Sequence, residues 1–351
     1  MPKKTLILII QIILICLLLG VLFLQAFFQE KTVIINNINP RLDINGNIID
    51  AHDGGLIKFG KKFYLYGTSY GTGNGMSKNY FTVYSSYNLV DWKRHGQLIP
   101  NLKPNKRYRP HVVYNLKTKK YILFYNSYSG TSWNGRITAA ISDSPIGPFT
   151  VQNSSINLKY KNPGDFNILV DQDNQAFISY TAISKDHQNY VEKLTPNYLN
   201  STNKISKPVG PKGHEASIFF RRNNIYYLII SKNCCFCSNG SDAKVYTSYH
   251  ALGPYEFQNN INLNSQGKII IPAQQTFIAE IPNKNGIQYL WMADLWFSSP
   301  DGKKGEYKCG DKFPGTKAHD FQYWHLLEFD AFGNIKNLKK FINKFQIKIN
   351  K

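Results

Sequence analysis

Five polar residues, Asp53, Arg109, Asp165, Glu215 and Gln274, stand at the heads of five similar segments. Three of the five are carboxylic acids. If the fold gathers them, their charges disfavour one another's ionisation and raise a pKa into the range of a general acid. A protonated carboxyl beside an ionised one suits cleavage of a glycosidic bond. The acid protonates the leaving oxygen, and the carboxylate activates water or attacks the sugar. Carboxyls on separate elements fit the wider spacing, about 6.5–9.5 Å, that admits a water in inverting enzymes. In these terms Glu215 is the acid, Asp53 the base, and Asp165 orients the acid and tunes its pKa. A single acid at a strand end often only bonds turn backbone. Recurrence in three of five segments argues for chemistry. His52, Arg109, Gln274 and Trp296 are candidate sugar contacts, with Trp133 and Trp291 as further rings able to stack. Trp291, within Tyr289-Leu290-Trp291-Met292, suits the core better.

The positioning elements are hairpins. Residues 53–67, 109–125, 165–180, 215–231 and 274–292 each read as an apolar strand, a polar turn and an aromatic-rich strand. The copies recur about every 50–60 residues, the spacing of propeller blades. Ser85-Ser86-Tyr87 through Trp92, Ser142-Asp143-Ser144 through Phe149, and Ser248-Tyr249-His250 through Tyr255 repeat a further turn and re-entering aromatic. Four strands per unit around an axis make a five-bladed, all-β propeller, in which the first strand of each blade lines the channel. A β-sandwich needs no such period, and a β-helix would repeat at a shorter one.

Composition agrees. Of 351 residues, 42% are hydrophobic and 14% aromatic, with 23 Tyr and 22 Phe, which favour pleated sheet. The net charge of +20 comes from Lys spread over the whole chain. Basic groupings such as Lys117-Thr118-Lys119-Lys120 fit hairpin turns, and no nucleic-acid-binding signature accompanies them. No nucleic acid partner is expected.

The N-terminus has its own pattern. Lys3 and Lys4 precede an uncharged run from Thr5 to Phe28. Its length, about 24 residues, suffices to cross a bilayer as a helix. It exceeds a signal-peptide core and lacks a clean cleavage site. An uncleaved signal anchor is therefore expected, with cleavage and secretion as the alternative. The lysines place the remainder outside the cytosol. The expected organisation is a cytoplasmic tip and transmembrane helix (1–30), a linker (31–44), the propeller (45–335) and a basic tail (336–351). Sequons at Asn153, Asn200 and Asn239 suit such a location. So do disulfides among Cys234, Cys235, Cys237 and Cys309, whose pairing spacing cannot give. The Cys-Cys-x-Cys cluster does not match usual zinc spacings.

The chain resembles glycoside hydrolase family 43, especially its exo-β-1,3-galactanase-like branch, over about residues 45–335. The resemblance rests on Ile49 to Gly55, on Val83-Tyr84-Ser85-Ser86 with Leu89-Val90-Asp91-Trp92, and on Arg109-Pro110 with Tyr114-Asn115. It continues through Asp165 with Leu169-Val170-Asp171, Glu215-Ala216 with Tyr226-Tyr227-Leu228, and Gln274 with Thr276-Phe277. It implies an inverting mechanism with a base at Asp53, a pKa modulator at Asp165 and an acid at Glu215. The galactanase-like branch has Gly at the base position and uses a Gln on the last blade. This chain has Asp53 and retains Gln274. Two glutamates that contact galactose in the branch are replaced by Tyr108 and Thr68, which puts β-1,3-galactan in question. No cofactor is implied. Some members hold a channel calcium, for which no motif stands here. The implied partner is an oligo- or polysaccharide, bound and hydrolysed, or bound only by an inactive, membrane-anchored propeller. A glycosyl-transferring or phosphorolytic enzyme is a further alternative on the same fold.

Overall fold

The computed structural model describes residues 5, 10–16, 30–71, 79–102, 105–128, 134–234, 236–308, 311–312 and 315–350. After β1 (Glu30–Asn36), twenty further strands follow in order. The first blade comprises β2 (His52–Phe59), β3 (Lys62–Ser69), β4 (Tyr80–Ser86) and β5 (Lys93–Gln97). The second comprises β6 (Arg107–Asn115), β7 (Lys120–Tyr128), β8 (Gly135–Ser142) and β9 (Thr150–Asn153). The third comprises β10 (Pro163–Val170), β11 (Ala176–Ala182), β12 (Gln188–Leu194) and β13 (Ser201–Ile205). The fourth comprises β14 (His214–Arg222), β15 (Ile225–Lys232), β16 (Lys244–Ser248) and β17 (Glu256–Asn260). The fifth has three strands, β18 (Gln274–Asn283), β19 (Gly286–Leu295) and β20 (Phe321–Leu326). Each blade is an antiparallel meander. The innermost strands neighbour one another in sequence order, and β18 returns to β2 to close the ring. The five-bladed all-β propeller is as the repeats indicate.

Adjacent residues of each second strand face opposite neighbours, because strand side chains alternate. Leu65 packs toward the fifth blade and Tyr66 toward the second; Leu123 packs toward the first blade and Phe124 toward the third. The same division separates Phe177 from Ile178, Leu228 from Ile229, and Leu290 from Trp291. Five separate inter-blade cores result, and sheets buried on both faces read as continuous apolar runs. Trp291 is 1% exposed, in the core as expected.

Closure comes from the chain's two ends. The segments expected as linker and as basic tail contain β1 and β21 (Lys344–Asn350), which pair antiparallel. Val33, Ile35, Ile347 and Ile349 cover the core between the fifth and first blades. Just beyond β1, the Asn37 side chain donates to the Trp324 carbonyl at 2.9 Å and accepts its N–H at 3.1 Å. This satisfies backbone groups on the β20 edge that would otherwise be costly to bury. Of the expected membrane span, residues 10–16 are helical, and most of the remainder lies outside the described residues. Among the described residues no helix is long and apolar enough to cross a membrane.

Candidate active site

Each innermost strand carries a β-bulge near its start. The breaks in pairing fall between His52 and Gly55, Tyr108 and His111, Pro163 and Phe166, Glu215 and Ile218, and Gln275 and Phe277. Bulges bend a strand and re-aim a side chain. The five head residues are not at one equivalent position, as simple repetition suggests. Asp53 and Arg109 are the first bulged residues, and Asp165 is a second bulged residue. Glu215 is the last paired residue before its bulge, and Gln274 stands one earlier. The pairing register separates them, but the bulges still bring all five to one cavity of about 320 Å³. Tyr108, Tyr128, Ile183, Phe236 and Trp296 supply much of its apolar wall.

Asp53, Arg109 and Ala216 occupy left-handed backbone, with φ of 48°, 55° and 54°. For non-glycine residues this costs roughly 1–3 kcal/mol each. In all three cases a carboxylate captures the strained residue's own N–H. Asp294 holds that of Asp53 at 2.7 Å, Asp53 that of Arg109 at 3.2 Å, and Asp165 that of Ala216 at 3.0 Å. At Gly54, beside Asp53, a Cβ would lie 2.0 Å from the Tyr66 carbonyl oxygen, so only glycine fits this bulge.

The Asp53 carboxyl also accepts from the Thr68 hydroxyl at 2.5 Å and the Tyr70 hydroxyl at 3.1 Å. Burial pushes it up to about 7, against the hydrogen bond from Thr68 and the Arg109 charge. Glu215 is pushed further, to about 8, by burial and then by the Asp165 charge. Asp165 forms an ion pair with Arg109 Nε at 2.7 Å. Burial disfavours the Arg109 charge, but Asp165 and Asp53 outweigh it and raise its pKa. The Arg109 Nη1 has no hydrogen-bond partner among the described residues. Gln274 Nε2 donates to Glu215 Oε1 at 3.3 Å, and Trp296 Nε1 donates to Gln274 Oε1 at 2.8 Å.

His52 does not face the cavity, contrary to its expected contact with sugar. It is fully buried, with Nδ1 3.3 Å from Asp294 and Nε2 3.1 Å from the Ala318 carbonyl. Burial opposes its charge, but Asp294 together with Asp50 and Asp320 outweighs burial and lifts it to about 9. Trp133 lies outside the described residues. Cys234 and Cys237 form a disulfide across the turn that carries Phe236 to the cavity, while Cys235 and Cys309 lie outside the described residues. Among the described residues no cluster of three or more His, Cys, Asp or Glu could hold a metal. The sequence alone did not mark Asp294, Tyr70 or Phe236, and it offered Thr68 only as the replacement of a glutamate, not as a partner of Asp53. A lone acid inside the apolar strand Trp291-Met292-Ala293-Asp294-Leu295 was the available signal, since a buried charge needs a partner.

A five-bladed propeller whose axial pocket holds two buried, proton-retaining carboxyls has the equipment of a glycoside hydrolase. The chain belongs to the glycosyl hydrolases family 43, whose model matches residues 48–299, and the protein is a glycosidase. Solved structures agree in fold. A family 43 β-1,3-galactosidase, solved with galactodeoxynojirimycin, is 22% identical with a TM-score of 0.73, over 88% of this chain and 99% of that one. An exo-β-1,3-galactanase from Clostridium thermocellum is 25% identical with a TM-score of 0.73, over 86% of this chain and 64% of that one. The exo-β-1,3-galactanase of Phanerochaete chrysosporium, solved with β-1,3-galactotriose, is 21% identical with a TM-score of 0.71, over 87% and 67%. No curated protein matches the chain by sequence.

Proposed function

We propose that the protein is an inverting exo-glycosidase acting on a neutral β-linked glycan. Glu215 is the general acid, Asp53 the general base, and Asp165 the residue that tunes the acid. The carrying observation is that Asp53 and Glu215, on different blades, both line one small cavity and both retain protons abnormally. Glu215, near 8, is protonated at neutral pH and can donate to the leaving oxygen. Asp53 accepts three hydrogen bonds, as suits an ionised carboxylate that takes a proton from water. Arg109 and Gln274 line the cavity and are the proposed contacts for sugar hydroxyls, with Trp296 and Phe236 as walls for an apolar sugar face.

A cavity of about 320 Å³ is at the small end for ligand pockets, about 300–1,000 Å³. It suits one terminal sugar rather than a threaded chain. Galactose is the first sugar to test, because the similar structures are those of a β-1,3-galactosidase and exo-β-1,3-galactanases. Tyr108 and Thr68, where the galactanase-like branch has glutamates, leave fewer anionic partners for its hydroxyls. We place the domain outside the cytosol, anchored by the apolar run 5–28 or released from it. The Cys234–Cys237 disulfide supports an oxidising compartment.

The test is a panel of aryl β-galactosides, arabinofuranosides and xylosides with wild type, Glu215→Gln and Asp53→Asn. Turnover in wild type, lost by roughly 10²–10⁴-fold in the variants, supports the proposal. Sugar binding without turnover in any of the three would leave an inert binding propeller instead.

A further inference from the structure

Behind the aromatic wall lies a cation that the mechanism above does not use. Lys317 opens a single 3-10 turn, Lys317–His319, on the connection between β19 and β20. The residue is 5% exposed, and its ammonium has no hydrogen-bond acceptor among the described residues. The Nζ stands 3.6 Å from the ring centroid of Trp296, 4.0 Å from Phe236 and 5.0 Å from Tyr70. Two of these rings line the sugar cavity, and the third donates its hydroxyl to Asp53. Trp296 and Phe236 also meet edge to face, 4.8 Å apart.

The counter-charge is Asp320, with Oδ2 at 3.6 Å. Asp320 accepts the backbone N–H groups of Phe297, Ser298 and Ser299 at 2.9–3.1 Å. The residues following Trp296 are therefore tied to the acid that faces Lys317. The other titratable groups around this cation are Asp294, Asp53, His52 and Tyr70. Burying an ammonium is expensive unless charge and rings compensate it. Here the compensation comes from the walls of the active site.

We propose that Lys317 is a positioning residue of this glycosidase, a buried ammonium that pins the Trp296–Phe236 wall and the Tyr70 ring whose hydroxyl bonds Asp53. The proposal rests on the assignment of Asp53 as base, but its first readout does not need turnover. Burial opposes the Lys317 charge and lowers its pKa to about 8, so the cation persists at neutral pH. Its positive field favours the Asp53 carboxylate. Removing the charge without removing the stem isolates that effect.

The experiment follows the Asp53 carboxyl by ¹³C NMR in aspartate-labelled full-length protein, with the signal assigned from Asp53→Asn. Lys317→Met is expected to move the Asp53 titration to higher pH, by roughly half a unit or less. Lys317→Arg is expected to restore it. If Lys317→Met does not fold, Lys317→Gln, neutral but polar, carries the test with the same expected shift. With the aryl glycoside that wild type cleaves best, Lys317→Met should raise KM and shift the acidic limb of kcat/KM upward, about threefold at most in rate on that limb. An Asp53 titration unmoved in every folded variant overturns the proposal. A shifted titration in a protein that cleaves no glycoside keeps the Lys317 assignment and sinks the hydrolase mechanism instead.

Discussion

Asp53 Oδ1 accepts the backbone N–H of Arg109 at 3.2 Å, so the proposed base of one blade is also the clasp on the next. Asp294 clasps Asp53, and Asp165 clasps Ala216, by the same device. Each acid receives the N–H of a left-handed bulge residue in the following blade. Catalytic placement and ring closure therefore share the same atoms.

This sharing separates two substitutions at one position. Asp53→Asn keeps an acceptor for Arg109, whereas Asp53→Ala leaves that buried N–H without one. Both should lose activity by roughly 10²–10⁴-fold. Only the alanine variant should also unfold more easily, by about 1–3 kcal/mol in urea titrations.

The pH dependence follows from the two raised carboxyls. The kcat/KM profile should be a bell with limbs near 7 and 8, apparent values that belong to the coupled site. Stability should move oppositely to a salt-bridged acid. The folded values lie above the ordinary carboxyl values of 3.8 and 4.5, so the fold binds these protons more tightly. That contribution is full below the ordinary, unfolded-state values and is lost as pH rises through 7 to 8. Glu215→Gln should accordingly raise Tm over wild type at pH 9 more than at pH 5, as scanning calorimetry can measure.

Asp165 acts on Glu215 through charge and on Ala216 through a hydrogen bond. Asp165→Asn should lower the Glu215 pKa, moving the basic limb of kcat/KM to lower pH. Activity at pH 7.5 should fall by roughly 10–100-fold, less than for loss of the acid itself. The freed Arg109 charge adds to the same shift. A pH–rate series on the best aryl glycoside checks both.

The Cys234–Cys237 disulfide closes a short loop, so its contribution to global stability is at most about 2 kcal/mol. Its larger effect should be on Phe236, which it carries to the cavity wall. Reduction, or Cys234→Ser, should raise KM several-fold while leaving kcat within a factor of a few and Tm lowered by only a few degrees.

Much of this arrangement was legible in the chain. The five hairpins could be read because both faces of each blade are buried, which writes long apolar runs around polar turns. Asp53, Arg109, Asp165, Glu215 and Gln274 could be found because each precedes such a run. Their offsets around the bulges could not be read, since a bulge inserts a residue without a composition change. His52 looked like a sugar ligand, but Asp294, 242 residues away, turns it inward. Lys317 lies outside the repeat and beyond the matched family region, and nothing in its neighbourhood marks it as buried. The pairing of β1 with β21 joins segments that each look like tails, since neither two-residue alternation alone names its partner.

The most direct measurement is ¹H NMR of the reducing sugar as it is first released from a β-linked glycoside by wild-type protein. The α-anomer is expected before mutarotation, because water delivered by Asp53 attacks from the face opposite the leaving group protonated by Glu215. First release of the β-anomer would mean a covalent glycosyl intermediate and would contradict the assignment of Asp53 as a base acting through water.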